Sequence, residues 1–229
     1  MCIRDRPLVL SSFFDDLFNI SRIFRLFVQA ISILLFVLLF DQPTIFSNNT
    51  NLLILFSMVF VGLTVINIFN FMDGLDGLIT GCTLIILLRS VSLFPQEFSI
   101  LIGSLIVFLL FNWCPAKVFM GDIGSTFLGA IYFIILINSS DLSKFIMNIL
   151  IATPLIIDSL SCIMIRFSKK QNIFLPHKLH LYQRLNQAGF KHSTISLMFM
   201  GATSFLVLIS TLNNNCLLYT SDAADEHSW

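Results

Sequence analysis

Seven stretches of the 229-residue chain approach the length and apolarity of a bilayer-crossing helix, roughly Ile23 to Phe40, Leu52 to Phe69, Leu78 to Phe94, Phe98 to Trp113, Ser125 to Ile137, Phe145 to Ile165 and Ile195 to Leu212. A hydrocarbon core of about 30 Å takes about 17 to 25 such residues per helix, and the shorter runs reach across only with tilt or polar flanks. Backbone polar groups in lipid must be satisfied within the element, so runs of this kind can only be helices. The expected fold is therefore an all-α, polytopic helical membrane protein with about seven transmembrane helices. Composition agrees: 56% of residues are hydrophobic, 11% are charged and mean hydropathy is +0.89, which excludes a water-soluble domain. The lipid bilayer is the first expected partner.

Lys plus Arg and Asp plus Glu number 13 each, a balance that gives no reason to expect a nucleic-acid partner. The five cysteines form no CxxC pair, which argues against a disulfide framework or a zinc site. Position is more informative than balance. Successive connections between membrane helices must alternate between the two faces, and 11 of the 13 bases fall on one of them (Arg4, Arg6, Arg22, Arg25, Lys117, Arg166, Lys169, Lys170, Lys178, Arg184 and Lys191). The positive-inside rule makes that face cytoplasmic. The same face collects Asp15, Asp16, Asp73, Asp76, Asp122, His177 and His180. A secondary transporter, the alternative from another functional class, would instead hold its ionisable groups near the membrane midplane.

Carboxylates gathered at a few ångströms raise one another's pKa unless a cation compensates them. An oxygen-only donor set suits Mg²⁺ or Mn²⁺. If residues 70–77 are helical, Asp73 and Asp76 share a face. Gly74 and Gly77 would then leave room for a phosphate or ribose to approach the backbone. On the same reasoning His177, His180 and Arg184 fall on one helical stripe and could grip a phosphate. Each feature also has a plainer explanation as a helix cap, a polar turn or an interfacial residue; their joint occurrence on one face is what favours chemistry.

Two segments carry a resemblance. NIFNFMDGLDGLITG (Asn67 to Gly81) and PAKVFMGDIGSTFLG (Pro115 to Gly129) resemble signature segments of the polyprenyl-phosphate N-acetylhexosamine-1-phosphate transferases, the family of the phospho-MurNAc-pentapeptide translocase and of the enzymes that initiate O-antigen. FFDDLFNISRIFRLFVQ (Phe13 to Gln29) is similar to the family's DD motif. HKLHLYQRLNQAGFKHSTIS (His177 to Ser196) resembles its histidine loop, in the form of the O-antigen branch and without the consecutive histidines of the peptidoglycan-precursor branch.

The resemblance implies transfer of N-acetylhexosamine-1-phosphate from a UDP-N-acetylhexosamine to undecaprenyl phosphate, with release of UMP and with Mg²⁺ (or Mn²⁺). Such a reaction would start O-antigen or another surface polysaccharide on the cytoplasmic face of a bacterial inner membrane; phospho-MurNAc-pentapeptide transfer is the alternative. By position, Asp122 corresponds to the metal ligand and Asp15 to the carboxylate that positions or deprotonates the lipid phosphate. Asp16, Asp73 and Asp76 correspond to the other catalytic acids. Asn67 and Asn70 match the polar residues before them, Phe119 the ring that stacks on uracil, and His177 and His180 the loop that contacts sugar or phosphate, with Arg184 beside them. Asp158 and Arg166, in PLIIDSLSCIMIR, also resemble a family segment. A homodimer is the candidate assembly.

The chemistry of such a transfer ranks these residues. A phosphate monoester is already largely ionised at neutral pH, its second pKa being about 6, so a strong base matters less than charge stabilisation. Loss of Asp122 is accordingly expected to be more damaging than loss of Asp15.

The family has about ten membrane helices, about three of them before the DD motif, which here arrives at residue 15; the resemblance implies an N-terminal truncation. Residues 1–10 and 213–229 differ in composition from the body and are expected to be non-native ends, leaving 11–212 as a partial transferase domain. Rival membrane chemistries fit less well: MGDIGS is not the GxGD motif of an intramembrane aspartyl protease, and the longer DG-plus-AR spacing of CDP-alcohol phosphotransferases does not follow Asp73 or Asp76. The topology makes a direct prediction. Single cysteines near Lys169 should be protected from impermeant outside reagents and those near Asn48 labelled; the reverse pattern would invert the faces.

Overall fold

The computed structural model describes residues 22–39, 52–170 and 179–225, with side chains over 23–38, 52–170 and 179–212. Asp15, Asp16 and His177 lie outside the described residues. Nine helices and no strand occur among those described: α1 (Arg22–Leu39), α2 (Leu52–Met72), α3 (Leu78–Ser90), α4 (Pro95–Asn112), α5 (Gly121–Ile137), α6 (Leu142–Ile151), α7 (Thr153–Ser168), α8 (Leu181–Gln187) and α9 (His192–Asp225).

Six of the seven apolar runs become one helix each. The sixth becomes two, α6 and α7, bent by 72° at Ala152. Pro154 supplies the reason: it has no N–H for the Leu150 carbonyl and its ring would collide with that group. The Thr153 hydroxyl donates to the Leu150 carbonyl instead, at 2.7 Å. Among the described residues three helices are long and apolar enough to cross a membrane unaided (Leu52–Met72, Pro95–Asn112 and His192–Leu212), or four if the bent pair is one span. Those three straight helices turn large apolar side chains outward, among them Phe60, Leu110 and Phe205. Helices α1, α3 and α5 are apolar but shorter.

The core is built around α5, buried on every side from Leu128 to Ile137. Its closest neighbour is α2, which runs antiparallel to it. A Cβ on Gly129 would sit 2.8 Å from the Ile66 Cα, and one on Gly62 3.1 Å from the Phe133 ring. Small residues at a membrane-helix crossing permit such close approach of backbones. Phe69 stacks on Tyr132 with ring centroids 5.1 Å apart, and the Tyr132 hydroxyl donates to the Asn148 carbonyl of α6 at 2.6 Å. Helix α1 packs on α2, α9 on α3, α6 and α7, and α4 on α3.

Polar side chains collect at the two ends. One end carries Arg89, which donates to Ser210 (2.8 Å) and Asn148 (3.0 Å) and so bolts α3, α6 and α9 together. The other end carries Asp73, Asp76, Asp122 and Asp158. The crossing is open to a stability test. Gly129→Ala gains about 1 kcal/mol of helix propensity but overpacks at a typical cost of about 1 to 3 kcal/mol, so net destabilisation is expected. Gly103→Ala on α4 meets nothing within 4 Å and should not destabilise. Thermal unfolding of the detergent-solubilised protein measures both.

Candidate active site

The α2–α5 crossing continues as a ladder toward the acidic end. Gly62 faces Phe133, Ile66 faces Gly129, and the Asn70 side-chain amide donates to the Ser125 hydroxyl at 3.1 Å. The next rung in the same register is Asp73 with Asp122. Asp73 follows the last residue of α2 and Asp122 lies in the first turn of α5, where the partial positive charge of the helix N-terminus favours an acid. Burial, and secondarily the charge of Asp122, push the Asp73 carboxyl up to about 7 from an ordinary 3.8. Asp122 is held from its other side by Arg25 of α1, whose Nη1 donates to Oδ2 at 2.5 Å.

Asp76 goes elsewhere. Residues 73–77 form a turn, not a helix, so Asp73 and Asp76 do not share a helical face as the spacing suggested. The Asp76 carboxylate accepts from the Ala116 N–H at 3.2 Å and lies 3.5 Å from His192 Nδ1, while its backbone carbonyl accepts from Ser196 at 2.7 Å. Asp76 thereby fastens the α4–α5 loop and the start of α9 to the turn.

The two glycines of the turn also differ from expectation. The space above Gly74 is filled by Tyr182, whose hydroxyl would collide with an added Cβ; the space above Gly77 is filled by Trp113 at 2.8 Å. These glycines admit aromatic side chains of this chain, not a phosphate or ribose. Gly77 also has a φ of +72°, which only glycine adopts without strain.

Asn112, unremarked in the sequence, clamps this region. Buried at the end of α4, its Oδ1 accepts from the Gly77 N–H (3.0 Å) and the Thr80 hydroxyl (2.9 Å), and its Nδ2 donates to the Val118 carbonyl (2.9 Å). Lys117 and Val118 N–H groups both return to the Phe111 carbonyl, and the loop projects Phe119 outward, 74% exposed. That exposure suits a ring offered to a ligand. Asn67, by contrast, is spent on helix contacts, donating to Gln29 of α1 (3.0 Å) and to the Leu63 carbonyl (2.8 Å).

The histidine segment needs one correction. Helix α8 begins only at Leu181, and His180 is its N-cap with an extended ψ of 147°, so His180 and Arg184 do not fall on one helical stripe; His177 lies outside the described residues. His180 is turned inward and buried, 3.4 Å from Asp158 and stacked on Tyr182, whereas Arg184 is exposed. The described residues include no group of three or more His, Cys, Asp or Glu side chains arranged to hold a metal ion. The pair that stands closest to such a role is Asp73 with Asp122, because it concentrates negative charge beside an exposed edge.

The model of glycosyl transferase family 4 matches residues 6–140, more than half of the chain. The chain belongs to that family. The matched span holds Asp15, Asp16, Asp73, Asp76 and Asp122 and ends before the histidine segment. The "Probable undecaprenyl-phosphate N-acetylglucosaminyl 1-phosphate transferase" of Bacillus subtilis (strain 168) is 34% identical over 172 residues, 66% of this chain and 45% of that protein. The phospho-N-acetylmuramoyl-pentapeptide-transferase of Dictyoglomus turgidum is 33% identical over 194 residues, 77% of this chain and 60% of that protein. The decaprenyl-phosphate N-acetylglucosaminephosphotransferase of Mycobacterium leprae is 30% identical over 166 residues, 59% of this chain and 42% of that protein. The chain thus spans about half the length of these relatives.

The Asp73 carboxyl sets a pH dependence whose sign is fixed. Its folded pKa of about 7 exceeds the ordinary 3.8, so the folded state retains a proton that the unfolded chain releases, and the associated stability is lost as pH rises through that window. In metal-free buffer, Asp73→Asn should lack this loss, and its melting temperature should gain on the wild type steadily from about pH 4 to about pH 7. A constant difference across the window, followed by thermal unfolding in EDTA, would contradict the buried position of Asp73.

Proposed function

We propose that the protein transfers N-acetylhexosamine-1-phosphate from a UDP-N-acetylhexosamine to undecaprenyl phosphate, releasing UMP, with Mg²⁺ or Mn²⁺, at the cytoplasmic face of a bacterial inner membrane. The product would start O-antigen or another surface polysaccharide. The carrying observation is the Asp73–Asp122 rung, set at one end of an apolar bundle in a member of glycosyl transferase family 4. Relatives whose names specify undecaprenyl-phosphate and decaprenyl-phosphate N-acetylglucosamine transfer support the substrate classes. Placement of the acids at a bundle end, where a cytosolic nucleotide-sugar could meet a lipid phosphate, speaks against the transporter alternative.

Mg²⁺ is commonly held by one or two carboxylates, with waters and substrate phosphates completing its shell, and the Asp73–Asp122 donor set fits that habit. A divalent cation bound there would supply charge neutralisation for the phosphates. The chain's own groups do the rest of the work. A lipid phosphate oxygen attacks the β-phosphorus of the nucleotide-sugar, the bond to the UMP oxygen breaks, and negative charge grows on the oxygens around phosphorus. Arg25 stands beside Asp122 as a cation that can face this charge, and Phe119 offers an exposed ring to the uracil. With the attacking phosphate already ionised, the residues chiefly position and stabilise. Asp15, Asp16 and His177 enter this proposal from the motif alone.

The 33% identity to a phospho-N-acetylmuramoyl-pentapeptide-transferase keeps that substrate as the second reading, although the single histidines of the His177–His180 segment favour the first. A radiolabelled UDP-sugar panel with the full-length protein in nanodiscs separates them. UMP release should require Mg²⁺ or Mn²⁺ and should fall by about a hundredfold or more in Asp122→Asn, the usual scale for loss of a transition-state electrostatic partner. Undiminished turnover in that variant, or in excess chelator, would overturn the proposal.

A further inference from the structure

Asp158 is the most deeply buried acid among the described residues, only 1% exposed on α7, and the chemistry above gives it no task. Its surroundings show where its charge is spent. Oδ1 accepts from the Leu181 N–H at 2.7 Å and Oδ2 from the Tyr182 N–H at 3.2 Å. These are the first two amides of α8, which have no partner within their own helix. The first two amides of α8 are therefore capped from a different helix, 23 and 24 residues earlier in the chain, alongside a local contact in which the Gln183 side-chain oxygen accepts from the His180 N–H at 3.3 Å.

Tyr182 carries the connection onward. Its hydroxyl donates to the Phe71 carbonyl at 3.2 Å and its ring lies against Gly74, so it presses on both sides of Asp73 in sequence. The Gln183 amide donates to the same hydroxyl at 3.2 Å, and the His180 ring stacks on Tyr182 with centroids 5.4 Å apart. His180, 3.4 Å from Asp158, lies inside this assembly. Its side chain is 7% exposed, which leaves little surface for a sugar or phosphate. The chain leading into His180 is the segment that carries His177.

We propose that Asp158, Tyr182 and His180 are positioning residues that dock the histidine segment onto the turn carrying Asp73, and that His180 acts through this docking, not through contact with substrate. The inference rests on the proposed transferase function for its kinetic consequence, but its geometric content stands independently. Gly74 is part of the device because any side chain there would displace Tyr182.

Hydrogen–deuterium exchange on the full-length protein in nanodiscs tests the geometry without reference to activity. Asp158→Asn, Tyr182→Phe and Gly74→Ala should each speed exchange of the α8 amides while leaving the α2–α5 core unchanged; protection of α8 unaltered in all three overturns the docking. Should Asp158→Asn fail to fold, the two milder variants still decide. Steady-state UMP release from UDP-N-acetylglucosamine supplies the kinetic arm. Tyr182→Phe should raise KM for the UDP-sugar roughly two- to tenfold, the scale of one neutral hydrogen bond, with KM for undecaprenyl phosphate unchanged. Asp158→Asn should do at least as much, and the double variant should be no worse than Asp158→Asn alone, because both act on one contact. Additive effects would overturn the shared device. A hundredfold fall of kcat in His180→Gln with α8 still protected would place His180 at the reacting atoms and overturn its assignment. If the wild type releases no UMP from any UDP-sugar, the functional reading fails while the exchange data still judge the docking.

Discussion

The close crossing of α2 and α5 fixes nearly everything else. Gly129 brings the α5 backbone onto that of Ile66 in α2, the Phe133 ring packs over Gly62, and the antiparallel register is then set by sterics. Moving along it, each rung advances four residues on α2 and retreats four on α5, from Gly62 and Phe133 to Ile66 and Gly129 to Asn70 and Ser125. A final step of three residues, off the end of α2 and into the first turn of α5, reaches Asp73 and Asp122. Apolar packing in the membrane thus decides which two carboxylates meet at its edge. A shift of one residue in this register would also separate Asn70 from Ser125.

Two long-range clamps complete the edge. Asn112 ties the end of α4 to the start of α3 and to the Phe119 loop, while Asp158 ties α7 to α8. Each satisfies backbone amides that would otherwise face apolar surroundings, a costly omission in a bundle of this kind. Irregular backbone around Gly77 and in the residues between α4 and α5 can therefore persist beside the membrane helices. The same economy appears at the far end, where Arg89 finds Ser210 and Asn148.

Much of this was legible in the amino-acid sequence because it follows from local pattern. The helical runs and the gathering of Asp73, Asp76 and Asp122 at one end come from apolar length and charge position. The break at Ala152 was encoded by Pro154, yet the apolar run masked it. What could not be read were relations between distant residues. Gly74 looked like an opening for a ligand because nothing in its neighbourhood announces Tyr182, more than a hundred positions later. His180 looked like a member of a cationic stripe because helical periodicity was extended one turn too far; Asp158 caps α8 at Leu181 and Tyr182, with His180 at the boundary.

The acids of this end divide by what saturates them. Asp76 is occupied by a backbone amide and His192, and Asp158 by two backbone amides and His180. Carboxylates so engaged serve as acceptors for the fold. Asp73 and Asp122 are different. Their like charges oppose one another, burial opposes ionisation of Asp73, and Arg25 donates to Asp122. Crowding and burial of this kind oppose ionisation and are unfavourable for the fold by themselves, whereas Asp76 is met by donors, so two aspartates three residues apart in one motif end in different electrostatic settings.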